Sequence, residues 1–195
     1  MDQTMLIVAM VIAVVVIAAV VWAVLRQRRS QALRERFGPE YGRAVGESGD
    51  TRKAEAVLGD RVKRVERLQI RPLLPEEHAR FASEWKTVQA RFVDDPPGAV
   101  GAADRLVGQL MGTRGYPMGE FEQRAADISV DHPLVVEHYR EAHGIVTRPG
   151  KLSTEDLREA LVHYRTLFDE LLNTELGPTE PAVDEDEAHR TEVTR

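Results

Sequence analysis

The N-terminal part of this sequence is dominated by an apolar run over residues 5–25, MLIVAMVIAVVVIAAVVWAVL. The run has no charged side chain, and as an α-helix it would be about 31 Å long, close to the thickness of a hydrocarbon core. Its valines and isoleucines favour a strand in water, but in lipid only a helix satisfies every backbone group within one segment. The run therefore predicts a transmembrane helix at residues 5–25, after a short external N-terminus at residues 1–4.

A cleaved signal peptide is the alternative interpretation of this run. Signal peptides combine a basic start with an apolar stretch of roughly 7–15 residues. Here the first four residues contain one aspartate and no lysine or arginine, and the apolar stretch is longer. We therefore expect the run to remain as an anchor.

Arginine follows the apolar run immediately. Residues 26–36 contain five arginines and one glutamate, beginning with Arg26, Arg28 and Arg29. Because cytoplasmic flanks are enriched in basic residues, the N-terminus is predicted outside and residues 26–195 in the cytoplasm, at the inner membrane. Trp22 suits the headgroup interface. The arginines would lie beside the anionic lipids of the inner leaflet, and their role is either to set the topology alone or also to recognise lipid. An exported envelope protein is the alternative if the arginines do not set the orientation.

The rest of the chain predicts an all-α fold. Aromatic residues are sparse, and no β-branched alternation follows the apolar run. The absence of cysteine excludes a disulfide framework, a thiolate zinc site and a cysteine nucleophile. Residues 173–195 carry seven acidic side chains against two arginines and no apolar face, so we expect a disordered acidic tail.

Residues 26–70 are expected to form a charged helical stalk. Its first helix is predicted to end near Phe37, because Gly38 and Pro39 follow, and the sequence ESGD at residues 47–50 marks a second break. The next helix carries a narrow stripe that could serve as a coiled-coil seam, a docking face or a face packed lightly on the domain. Small residues in the transmembrane helix offer a second homo-oligomer surface. The stripe consists of Ala54, Leu58, Val62, Val65 and Gln69.

Residues 71–172 are predicted to form a compact bundle of about four helices. Asp131 is expected to cap the third helix, with Pro133 just inside it and Leu134 facing the core. A short turn is expected at residues 120–128. The connections are short, as in antiparallel bundles. The apolar stripes place the four helices at about 75–94, 97–112, 131–146 and 153–171.

Motifs with a defined chemistry are absent from the sequence. It contains no phosphate-binding loop, nucleophile elbow or HExxH pair, so no catalytic, cofactor-binding or metal residue is predicted. No basic helix with interleaved aromatic residues appears, so no nucleic-acid partner is expected. His138 and His143 stand ~140° apart around a helix, whereas shared ligands need spacings of three or four residues. A metal-binding or acid–base enzyme remains the alternative, using His132, His138, His143 and His163.

Two loops, at residues 111–121 and 129–133, combine glycine, proline, aromatic and charged residues in an unusual density. They either fill gaps in the core or form a recognition surface. The candidate recognition residues are Arg114, Tyr116, Pro117, Asp131 and His132.

Four segments of the chain are distinctive: RFGPEYGRAV, IRPLLPEEHARFASEWKTVQARFVDDPPGAV, ADRLVGQLMGTRGYPMGEFEQRAADISVDHPLVVEHYREAH and STEDLREALVHYRTLFDELL. With these segments, residues 35–172 resemble a family of small single-pass bacterial membrane proteins from GC-rich genomes, to which no activity is assigned. The resemblance implies membrane attachment and transfers no functional residue. With the anchor, it leads us to expect a membrane-anchored binding or scaffolding module for an unknown protein partner.

Overall fold

A computed structural model describes the backbone of residues 3–174 and the side chains of residues 10–174. Within these residues the chain forms eight α-helices and no strand, as the all-α prediction requires. Most of the predicted acidic tail, from residue 175 onward, lies outside the described residues. The helices are α1 (Gln3–Phe37), α2 (Pro39–Ser48), α3 (Thr51–Val65), α4 (Pro75–Arg91), α5 (Pro96–Arg114), α6 (Phe121–Asp131), α7 (Val136–Val146) and α8 (Thr154–Asn173).

Helix α1 joins the apolar run to the charged segment without a break. It contains a stretch, Met10–Phe37, that is long and apolar enough to cross a membrane. Every side chain from residue 10 to residue 25 is exposed, as expected for a helix whose apolar surface faces lipid. The basic flank therefore continues the same rigid helix beyond the apolar run.

The end of α1 follows from local backbone chemistry. Gly38 has a φ of +47°, a value that favours glycine, and its N–H donates to the carbonyl of Arg34 at 2.9 Å. Pro39 then occupies the first turn of α2, where a missing N–H costs nothing. The turn directs α2 back toward the domain and leaves Phe37 fully buried.

The described residues contain two hydrophobic cores. The first lies between α4, α5, α7 and α8, with α6 closing one side, so five helices enclose the region predicted as a bundle of about four. The second is built mainly from the predicted stalk and is closed by Val130 of α6. The predicted stripe on α3 contributes to it through Ala54, Leu58 and Val65, whereas Gln69 lies beyond the end of the helix and is exposed.

Helix α6 therefore forms a wall shared by both cores. Its buried side chains include Ala125 and Ile128, which face the first core, and Val130, which faces the second. The short turn expected at residues 120–128 is instead most of an eleven-residue helix. Burial on two sides stabilises a helix that its short, weakly periodic sequence does not predict.

The predicted start of the third bundle helix is wrong. Asp131 ends α6 instead of capping a new helix, and α7 begins only at Val136. Pro133 cannot donate a backbone hydrogen bond and disfavours helical geometry in the residue before it, so α6 ends at this point. Leu134, expected in the core, is 69% exposed.

A buried carboxylate links the stalk segments to the domain. Glu40 of α2 is only 1% exposed. Arg140 of α7 donates to its two oxygens at 2.6 and 2.9 Å, and Arg61 of α3 donates at 2.9 Å. A second link joins Arg64 of α3 to Asp127 of α6 at 2.6 Å. These ion pairs fix α2 and α3 against α6 and α7.

Replacing Glu40 by alanine is expected to lower the free energy of unfolding by about 3–5 kcal/mol, because it leaves two arginines facing a desolvated gap. Urea denaturation of the detergent-solubilised protein, followed by far-UV circular dichroism, measures this change. The matched control is Glu47→Ala on the same helix, where an exposed pair with Arg43 is removed. We expect that control to change stability by less than about 1 kcal/mol. Equal effects of the two substitutions would contradict the role given to Glu40.

Candidate functional site

The candidate recognition residues lie at a junction between α5, α6 and α8. Arg114 is the last residue of α5, and Asp131 is the last residue of α6. The side chains of Arg114, Tyr116 and His132 are buried, Asp131 is partly exposed, and Pro117 is exposed. This burial favours the core-filling interpretation of the two loops over the recognition surface.

Arg114 is the most deeply buried charge of the junction. Its Nη1 donates to the carbonyl of Leu171 in the last turn of α8, where a cation also complements the helix dipole. Its Nε and Nη2 have no partner among the described residues. Burial lowers the pKa of the guanidinium, while nearby Tyr116 and Asp131 act in the opposite direction. The side chain therefore ties the end of α5 to the end of α8.

Tyr116 and His132 each have a carboxylate partner. The hydroxyl of Tyr116 donates to Oδ2 of Asp131 at 3.3 Å, and burial raises the pKa of the phenol above its ordinary value, with Asp131 adding to the effect. Nδ1 of His132 lies 3.1 Å from Oε1 of Glu170. Tyr116 and His132 are thus tied to neighbouring helices, whereas Nε2 of His132, like Nε and Nη2 of Arg114, is buried without a partner among the described residues.

A second polar cluster lies on the surface between α7 and α8. Nδ1 of His138 lies 2.9 Å from Nδ1 of His163, and Nε2 of His163 lies 3.2 Å from Oε2 of Glu141. His138 and Glu141 share a face of α7 because they are three residues apart. Glu159, one turn before His163 on α8, approaches its Nε2 at 3.9 Å. His163 therefore has a second imidazole beside one ring nitrogen and two carboxylates near the other.

This cluster has the composition of a transition-metal site. His138, Glu141 and His163 each offer one ligand atom, and these atoms lie within 4.8 Å of one another. Neighbouring ligands of a tetrahedral zinc ion are about 3.4 Å apart, given bonds of about 2.0–2.1 Å. Nδ1 of His138 lies 4.0 Å from Oε2 of Glu141, which is close to that spacing. His163 is 16% exposed and Glu141 is 59% exposed, so an ion can reach the cluster from solvent.

The predicted set of four histidines is only partly assembled. His138 and His163 come together, whereas His132 pairs with Glu170 elsewhere and His143 stacks on Phe121 with ring centroids 3.6 Å apart. The sequence places Glu141 close to these histidines, where it is interpreted as a solvated side chain and not as a ligand, and it gives no indication of Glu159. The three-residue spacing between His138 and a glutamate on the same helix is the signal that could have revealed Glu141 as a ligand.

The residues predicted to orient the chain in a membrane lie together on α1. Arg26 places its guanidinium carbon 5.5 Å from the ring centroid of Trp22, which is 63% exposed. Arg28 and Arg29 follow within one turn and are exposed. Their arrangement brings the indole and the first guanidinium into contact at the end of the apolar run.

Comparisons with known proteins do not assign this chain to a family. No protein-family model matches the chain, and no curated protein or solved structure matches it significantly.

Two substitutions test whether the junction stabilises the fold or forms a recognition surface. Arg114→Ala is expected to lower the free energy of unfolding by about 2–4 kcal/mol, because it leaves a cavity and an unpartnered carbonyl in the core. Pro117→Ala, at the exposed position nearby, should change it by no more than about 0.5 kcal/mol. Chemical denaturation of the purified full chain measures both. A small effect of Arg114→Ala would contradict the structural role of the junction.

Proposed function

We propose that this chain is a single-pass inner-membrane protein of the resembled family, with its N-terminus outside and its helical domain in the cytoplasm. There it serves as a binding or scaffolding module that holds a protein partner at the membrane. The observation that carries this proposal is the continuity of α1, which runs from the apolar stretch directly into a folded core.

The geometry of α1 makes the attachment short and rigid. Leu33 and Phe37 belong to the second core, and Phe37 lies twelve residues after Leu25, or about 18 Å along a helix. The side chain of Arg36 also donates to the carbonyl of Val130 on α6 at 3.2 Å. A domain attached in this way would be held close to the headgroups in one orientation, which suits a scaffold.

The orientation rests on Arg26, Arg28 and Arg29. Basic residues near the end of an apolar helix stay on the cytoplasmic side. The N-terminal flank has no basic residue to oppose them. The asymmetry supports a cytoplasmic domain, and the opposite orientation would make the protein an exported envelope protein.

Reporter fusions test this topology. A reporter that is active only in the cytoplasm should work when fused after Arg195, and one that is active only outside should fail at that position. Changing Arg26, Arg28 and Arg29 to glutamate should raise the outward-facing fraction, because it removes the basic bias. Changing Arg158 and Arg165, which are exposed on α8, to glutamate is the matched control and should have no effect. An outward domain in the unchanged chain would contradict the proposal.

Transition-metal binding is a second candidate function. The observation that favours it is the meeting of His138, Glu141 and His163, since imidazole nitrogens and a carboxylate oxygen are the ligand set of many zinc sites. The site would leave a coordination position open to water or a substrate, as catalytic zinc sites do. A bound ion would also join α7 to α8.

Calorimetric titration of the metal-free full chain with Zn²⁺ tests the second candidate. We expect one equivalent to bind, and His163→Ala to weaken binding at least about 10-fold because it removes a ligand. His143→Ala is the control, since that ring lies on Phe121 outside the cluster. Equal binding by the His163 variant and the unchanged chain would contradict a zinc site at this cluster.

A further inference from the structure

We propose that the groove between α1 and the start of α3 binds the headgroup of an anionic phospholipid. The inference rests on the proposed membrane attachment and names one partner for it. The groove consists of two adjoining cavities of about 420 and 300 Å³, which share Trp22, Arg26 and Glu55 as lining residues.

The position of the groove along α1 matches the depth of a headgroup. Trp22 lies inside the apolar run, three residues before its end, and lines both cavities. Arg26 stands one turn further along, with its guanidinium beside the indole. Indole rings favour the boundary between hydrocarbon and headgroups, and arginine favours the phosphate layer. A membrane that covers the apolar run therefore ends at the groove.

The charges of the groove suit a phosphodiester. Arg29 of α1 and Arg52 of α3 line the smaller cavity together with Arg26. Within the part of the chain that the structure describes, these three arginines form no ion pair. Guanidinium groups recognise phosphate oxygens through paired N–H donors. Three such groups, from two helices, line the same cavity.

The single acidic side chain among the lining residues is held by the fold. Oε1 of Glu55 accepts hydrogen bonds from Ser30 at 2.6 Å and from Tyr41 at 2.9 Å. These bonds fix α3 against α1, and among residues 10–174 Glu55 forms no ion pair with the arginines of the groove.

A lipid explains the groove better than a free anion does. The exposed apolar side chains that precede Trp22 on α1 offer a surface for acyl chains, which inorganic phosphate would not use. A lipid with a net negative headgroup, such as phosphatidylglycerol, matches both the charge and the apolar approach. A zwitterionic lipid carries its own cation, which the arginines would repel.

Native mass spectrometry of the detergent-purified full chain tests the proposal, with phosphatidylglycerol and phosphatidylcholine as probes. We expect phosphatidylglycerol to bind at least about 10-fold more tightly, and the double substitution Arg29→Gln and Arg52→Gln to remove most of this preference. Lys53→Gln is the matched control, because it removes one exposed charge from the same helix outside the groove and should leave the preference unchanged. A melting temperature for each variant establishes that it is folded.

Four outcomes would overturn the proposal. The first two are equal affinity for the two lipids and a preference for phosphatidylglycerol that survives the double substitution. The other two are competition by inorganic phosphate as strong as by lipid, and lipid binding that is seen only after removal of residues 175–195. The last outcome would indicate that the acidic tail, and not a lipid, occupies the groove in the full chain. Extraction of cell membranes with alkaline carbonate separates this proposal from the proposed function. If the protein stays in the membrane pellet but shows no lipid preference, only the headgroup site is contradicted. If carbonate releases the protein, the proposed membrane anchor is contradicted as well.

Discussion

The buried carboxylate of Glu40 is the interaction on which the arrangement of this protein depends. It is almost completely removed from solvent and is compensated by two arginines, from α3 and from α7, that are far apart in the sequence. A desolvated carboxylate is tolerated only when its partners are well placed, so this one constrains three helices at once. The position of α2 therefore determines how the segment after the apolar helix meets the domain.

This constraint gives the segment between the apolar run and the bundle a structural role. Residues 26–70, which are predicted to form a charged helical stalk, build most of a second hydrophobic core, which meets the first across α6. As a result, the helix that carries the apolar run ends inside folded structure, at Phe37. Any tilt of that helix in a membrane would be passed to the domain, because no flexible linker intervenes within residues 10–48.

Neither candidate site could be assembled from the sequence alone, because each depends on contacts between distant helices. Arg114 stands out in the sequence, but its partner lies in the last turn of α8, more than fifty residues away. The pairing of His138 with His163 has the same cause, since it requires α7 and α8 to pack in one particular register. Spacing within a single helix indicates only which residues share a face. It does not indicate what that face meets.

The sequence by itself determined the elements whose causes are local. The apolar run predicts one long exposed helix, Gly38 and Pro39 end it, and the absence of strand patterns predicts an all-α fold. Only the tertiary structure decided that α6 is a helix, that the stalk forms a core, and that Glu40 meets Arg140 one hundred residues later. The physical reason is range: backbone propensity and capping act within a few residues, whereas burial and ion pairing depend on contacts between distant segments.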